Sequence, residues 1–106
     1  MRRVGLQGER EVTAAGSVSA RVRRLASQAH AVVIEIGPGG VVARHPANVP
    51  QLFVVVRGTG WVSGADGTRE AIAAGQGVFW EPGEEHESGT DTGMTALVLE
   101  SESLEV

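Results

Sequence analysis

The side chains able to move protons or hold a metal near neutral pH are His30, His45, His86 and 13 carboxylates. Cys, Lys and Tyr are absent. Without Cys there is no disulfide, no thiol nucleophile and no cysteine-ligated zinc or iron–sulfur cluster. Without Lys there is no Schiff base and no phosphate-loop lysine. His45 closes one apolar run, and Gln51 opens the next across a loop bounded by Pro46 and Pro50. His86 follows the turn signal Glu81-Pro82-Gly83. Two imidazoles and an amide oxygen are donors that iron, manganese, nickel or zinc accepts. Spacing alone does not bring the three together, and Gln51 is equally suited to satisfying loop backbone beside Pro50. Glu84 shares the parity of His86 and is the nearest carboxylate for catalytic acid–base work at a pocket mouth, although a solvated turn is its simpler role. His30 lies in an apolar run, where a hydrogen-bonded core or interface histidine is expected.

The elements that must position these groups read as strands. Fifteen glycines lie scattered among short apolar runs, and no segment keeps a helical period over ten residues. Ser17–Leu25 alternates apolar and polar. His30–Ile36 is continuous and β-branched, the pattern of a core strand. Val41–His45 is short and stops at Pro46. Leu52–Arg57 is the most apolar run, with Gly58-Thr59-Gly60 expected to turn it into Trp61–Ser63. Gly64–Gly67 leads into Arg69–Ile72, and Val78–Trp80, Glu84–Ser88 and Met94–Glu100 come after it. Hairpins are expected at 37–40, 58–60, 64–67, 81–83 and 90–93. Many short strands separated by turn residues indicate an all-β antiparallel barrel or jelly roll. Residues 1–106 suit one domain, with fraying expected over 1–10 and 101–106. Phe53, Val55 and Arg57 share the parity of Gln51, which assigns Phe53 and Val55 to the pocket lining.

The charge pattern narrows the partners. The net charge of −4 argues against nucleic acid. Six of nine Arg fall within residues 1–24, and nine of 13 acids lie at Glu70 or later. Oppositely charged ends can meet within the fold or across a homodimer, with Arg21 and Arg23 facing acids of the partner; two solvated faces are the simpler reading. No apolar run approaches a membrane span, and no apolar stretch follows Arg2-Arg3 as in a signal peptide. A cytoplasmic protein without membrane partners is expected.

Two spaced motifs carry a resemblance. Gly39, His45, Ala47, Gln51 and Gly58 resemble the first cupin motif, G-x5-H-x-H-x3-E-x6-G. Gly75, Glu81, Gly83, His86 and Thr90 resemble the second, G-x5-P-x-G-x2-H-x3-N. The resemblance implies a small single-domain cupin barrel that commonly dimerises. It assigns a metal site to His45, Gln51 and His86. Ala47 stands where the family has a second histidine, Gln51 where it has an acid, Glu81 where it has Pro and Thr90 where it has Asn. A neutral donor set lacks the charge compensation of the usual one and leaves more coordination positions open. The resemblance leaves two function classes. One is a metal-dependent enzyme, dioxygenase- or isomerase-like, acting on a small oxygen-rich substrate. The other is a small-molecule-binding cupin that has lost its metal and does no catalysis.

Overall fold

The computed structural model describes residues 1–4 and 28–104, and the backbone of 10–12 and 20–22. Its strands are β1 (Arg2–Val4), β2 (Arg10–Val12), β3 (Ala20–Val22), β4 (His30–Ile36), β5 (Val41–Pro46), β6 (Gln51–Ser63), β7 (Glu70–Ala73), β8 (Gly77–Trp80), β9 (Glu85–Gly89) and β10 (Met94–Glu100). All pairings among the described residues are antiparallel, and no helix occurs there, so none is long and apolar enough to cross a membrane. The fold is the all-β cupin type. Of the expected strand Ser17–Leu25, Ala20–Val22 forms β3 and pairs with β2; the remainder lies outside the described residues. Within the end segments expected to fray, Arg2–Val4 pairs with β8 and Leu104 is buried.

Two layers share one long strand. The first half of β6 lies between β8 and β10 in the order β1-β8-β6-β10-β4, and its second half lies between β7 and β9, with β5 beyond β9. The expected turn at Gly58-Thr59-Gly60 is therefore corrected: β6 runs unbroken through it and changes layer there. Two backbone features make the change. Val55 pairs with Ala96 and Arg57 with Thr95, so Val56 is an extra residue that reverses parity. Gly58 then takes φ +82°, and a Cβ there would lie 2.2 Å from the Gly93 carbonyl oxygen. The parity shift sends Arg57 outward to solvent, correcting its expected place inside the barrel.

Of the four other expected hairpins, one forms and three are corrected. Gly64–Gly67 joins the paired strands β6 and β7. The turns at 37–40, 81–83 and 90–93 instead join strands that do not pair with one another and carry the chain between layers. Thr90 secures the last crossing. Its hydroxyl donates to the Thr59 carbonyl at 2.6 Å and accepts the Gly93 N–H at 2.9 Å.

Apolar residues separate by parity onto two faces. Phe53, Val55, Val62, Ile72, Val78, Trp80, Met94, Ala96 and Val98 fill the space between the layers. Leu52, Phe79 and Leu104 pack on the opposite face with Val4, Val54 and Leu99. Strand β4 was expected in the core and, among the described residues, sits at the edge of its layer, hydrogen-bonded to β10. Val32 is 48% and Val33 65% exposed. Apolar content identified a strand but not its rank in the sheet, because edge and centre are set by which strands pair.

Candidate metal and ligand site

His45 and His86 occupy directly opposed positions in the β5–β9 ladder, with ring centroids 4.3 Å apart. A bulge makes this possible. Val42 pairs with Ser88 and His45 with His86, so three steps along β5 match two along β9. The extra residue turns His45 to the same side as Val42, and both line one cavity. The bulge also uses its own backbone: His45 Nδ1 lies 2.7 Å from the Ala43 carbonyl oxygen. His86 Nδ1 lies 3.1 Å from the Glu84 carbonyl oxygen. A carbonyl can only accept, so both rings carry their proton on Nδ1 and present a bare Nε2.

Gln51 reaches the cavity from the other layer. It starts β6, with Trp80 opposite it on β8 and Glu100 opposite it on β10. The cavity measures about 170 Å³, and its polar lining is His45, Gln51, His86, Ser88 and Glu100. Phe53, Val32, Ile34, Val42, Trp80 and Val98 make up the rest. The three expected metal ligands thus share one cavity with Phe53. Val55 has the expected parity but is buried in the core beyond the lining.

His86 is the most constrained member. It is 3% exposed, and Trp80 stacks on it at 4.1 Å with the planes 21° apart. Among the described residues its buried Nε2 has no hydrogen-bond partner, and neither does the buried Trp80 Nε1 donor. Burial pushes the imidazole below its usual range, as does the neighbouring His45; the Glu84 carbonyl and the charges of Glu84 and Glu100 oppose this. The shift favours the neutral ring, with its lone pair available.

Glu84 is placed elsewhere. Its carboxylate pairs with the Met1 ammonium and accepts the Ala65 N–H at 3.1 Å and the Glu81 N–H at 3.0 Å. Burial raises its pKa, but these hydrogen bonds and the ammonium charge outweigh burial and hold it below the usual carboxylate range. It clamps the 81–84 turn and does not line the cavity. Ala47 is buried and works through its backbone, donating to the Glu84 carbonyl and accepting from the Gly83 N–H. His30 is exposed, opposite Glu100 in the β4–β10 ladder, which corrects the core half of the core-or-interface expectation.

Sequence reasoning missed Glu100 and Trp80 as lining residues, whereas Ser88 shares the parity of His86 and lines the cavity with it. For Glu100 a signal existed: Met94, Ala96 and Val98 alternate inward along β10, and Glu100 continues that parity.

A family model described as the cupin domain matches residues 32–101. The chain belongs to the cupin family. Among solved structures, this cupin is similar to an RmlC-like cupin from Shewanella frigidimarina, at 26% identity and TM-score 0.66, covering 73% of this chain and 68% of that one. It also resembles the DMSP lyase DddQ from Ruegeria pomeroyi, at 23% identity and TM-score 0.66, over 74% of this chain and 40% of that one. A predicted oxalate decarboxylase from Thermotoga maritima matches at 22% identity and TM-score 0.60, over 65% of this chain and 62% of that one. These last two likenesses concern the fold. No curated protein matches the sequence significantly.

The donor set of this cupin fits a borderline divalent cation. Ligating histidines characteristically engage their second nitrogen with a carbonyl or carboxylate, the state of both rings here. Among the described residues no three His, Cys, Asp or Glu side chains converge to hold a metal on their own. Gln51 is the amide that lines the cavity with the two imidazoles.

Proposed function

We propose that this cupin is a metal-dependent enzyme acting on a small, oxygen-bearing molecule. His45 Nε2, His86 Nε2 and Gln51 hold one divalent ion of iron, manganese, nickel or zinc. The observation that carries this reading is the buried, unpartnered Nε2 of His86, whose Nδ1 is already committed to the Glu84 carbonyl. A buried acceptor left unpaired costs stability unless something occupies it. When bound, the ion would supply Lewis acidity for isomerase-type chemistry or, with iron, manganese or nickel, an oxygen-activating centre for dioxygenase-type chemistry. The protein's own contribution is positioning. Trp80 and the Glu84 carbonyl hold the His86 ring, and the β5 bulge aims His45. Phe53, Val98 and Ile34 keep the surroundings apolar. At about 170 Å³ the space suits a ligand of a few heavy atoms, below the usual range for drug-sized molecules.

A titration of the chelator-stripped protein with these metals, followed by oxygen-uptake and isomerisation assays, tests the reading. One ion per chain is expected, lost in His86→Ala. A protein that takes up no metal yet binds small molecules in this cavity would instead support the second reading, a non-catalytic binding cupin. The neutral donor set and Ala47 favour that reading. We further propose a cytoplasmic homodimer in which the exposed edge of β4 meets a second copy.

A further inference from the structure

We infer that Glu100, which lies outside both motifs, supplies the negative charge of the metal site, acting from β10 across the ladder on a cation held by His45, His86 and Gln51. The inference rests on the metal reading proposed above. Gln51 is neutral where the first motif of the family has an acid, which leaves the protein donors without charge to offset a divalent ion. Glu100 is the residue paired directly opposite Gln51. Opposed residues in an antiparallel ladder place their Cβ atoms about 4.5–5.5 Å apart on the same face. Among the described residues lining the cavity Glu100 is the one carboxylate, and no arginine lines it. Neither a hydrogen bond nor an ion pair engages this carboxylate among the described residues. It is half-buried, so solvent screens it less than a surface acid.

Glu100 is not a first ligand, because no group of three His, Cys, Asp or Glu side chains among the described residues closes on a common point. Its role is to compensate charge and to accept hydrogen bonds from molecules bound to the ion, which makes it a positioning residue. The acid expected at position 51 is in effect displaced by one strand.

The experiment is a chelator-competition titration of the stripped full chain with Mn²⁺ and Ni²⁺. It compares wild type with Glu100→Gln, Gln51→Glu and the double variant, with thermal unfolding of each as a check on folding. Glu100→Gln is expected to weaken binding by about tenfold or more, the usual effect of losing an outer partner of a metal site. Adding Gln51→Glu to it should restore binding to within about threefold of wild type, a non-additivity that a purely structural role would not produce. Unchanged affinity in Glu100→Gln, with binding still abolished by His86→Ala, overturns this inference and leaves the metal reading standing. No binding by wild type overturns both. If Glu100→Gln does not fold, Gln51→Glu alone decides. Beside a resident carboxylate its gain should stay below about threefold, and a gain of about tenfold or more would show that the site lacked a charge.

Discussion

His86 concentrates the chemistry of the site in one ring, and its surroundings fix both its tautomer and its charge. The Glu84 carbonyl takes the Nδ1 proton, Trp80 covers one face, and burial keeps the ring neutral. His86→Ala and His45→Ala are each expected to abolish metal uptake, because one imidazole and an amide retain a divalent ion poorly; elemental analysis of purified variants measures this. The depressed pKa of His86 also has a consequence for stability. The unfolded imidazole protonates near about pH 6.5, and the folded one only at lower pH. Between those values the unfolded state binds more protons, so stability falls as pH drops below about 6.5. Urea midpoints of the metal-free protein at pH 7.5 and 5.5 should show this loss, and His86→Gln should flatten it.

At the scale of elements, the site depends on irregularities in strands. The β5 bulge at Ala43–Arg44 turns His45 inward, and Arg44 is held outside by Glu85 and the Gly64 and Ala65 carbonyls. The extra residue Val56 and the positive φ of Gly58 carry β6 from one layer to the other. Gly58→Ala is expected to destabilise by more than the ~1–3 kcal/mol typical of a strained backbone position, since its Cβ would also meet the Gly93 carbonyl. Chemical denaturation checks this. The Glu84 clamp allows a contrasting test. Glu84→Ala removes the acceptor shared by the Ala65 and Glu81 amides and the Met1 ammonium, a cost of about 0.5–1.5 kcal/mol for each hydrogen bond lost. Because its carboxylate does not line the cavity, metal affinity of the folded variant should be unchanged.

At the scale of the whole molecule, β4 is the last strand of its layer among the described residues, with Val32 and Val33 exposed. Long apolar edges invite pairing with another chain. A second copy laid antiparallel along β4 would extend the layer across a two-fold axis and cover both valines. Sedimentation at micromolar concentration should report a dimer for wild type. Val33→Lys should shift it to monomer with the circular dichroism spectrum unchanged. A monomeric wild type would remove the proposal. Val32 also lines the cavity, so dimer formation is expected to reduce solvent access to the site, measurable as slower metal release to a chelator in the dimer.

Alternation, continuous apolar runs and turn residues were enough to locate β4, β5 and β7 through β10 in the sequence, and to find β6 as two separate runs. The two motifs were enough to nominate His45, Gln51 and His86, because strand parity and motif spacing are local properties. Strand pairing is not local, and everything that depended on it had to wait for the tertiary structure. The run Gly58-Thr59-Gly60 has the composition of a turn, yet β6 continues through it because β7 and β9 pair with residues 59–63. The His30–Ile36 run has the composition of a core strand, yet it lies at an edge because β10 is the strand that pairs with it. Glu84 shares the parity of His86, but hydrogen bonds to turn amides draw its carboxylate away from the cavity. Glu100 entered the site through its register with Gln51, a relation between residues far apart in the chain. The sequence by itself determined which residues could do chemistry and which segments would be strands; the pairing of distant strands decided which of those residues share a cavity.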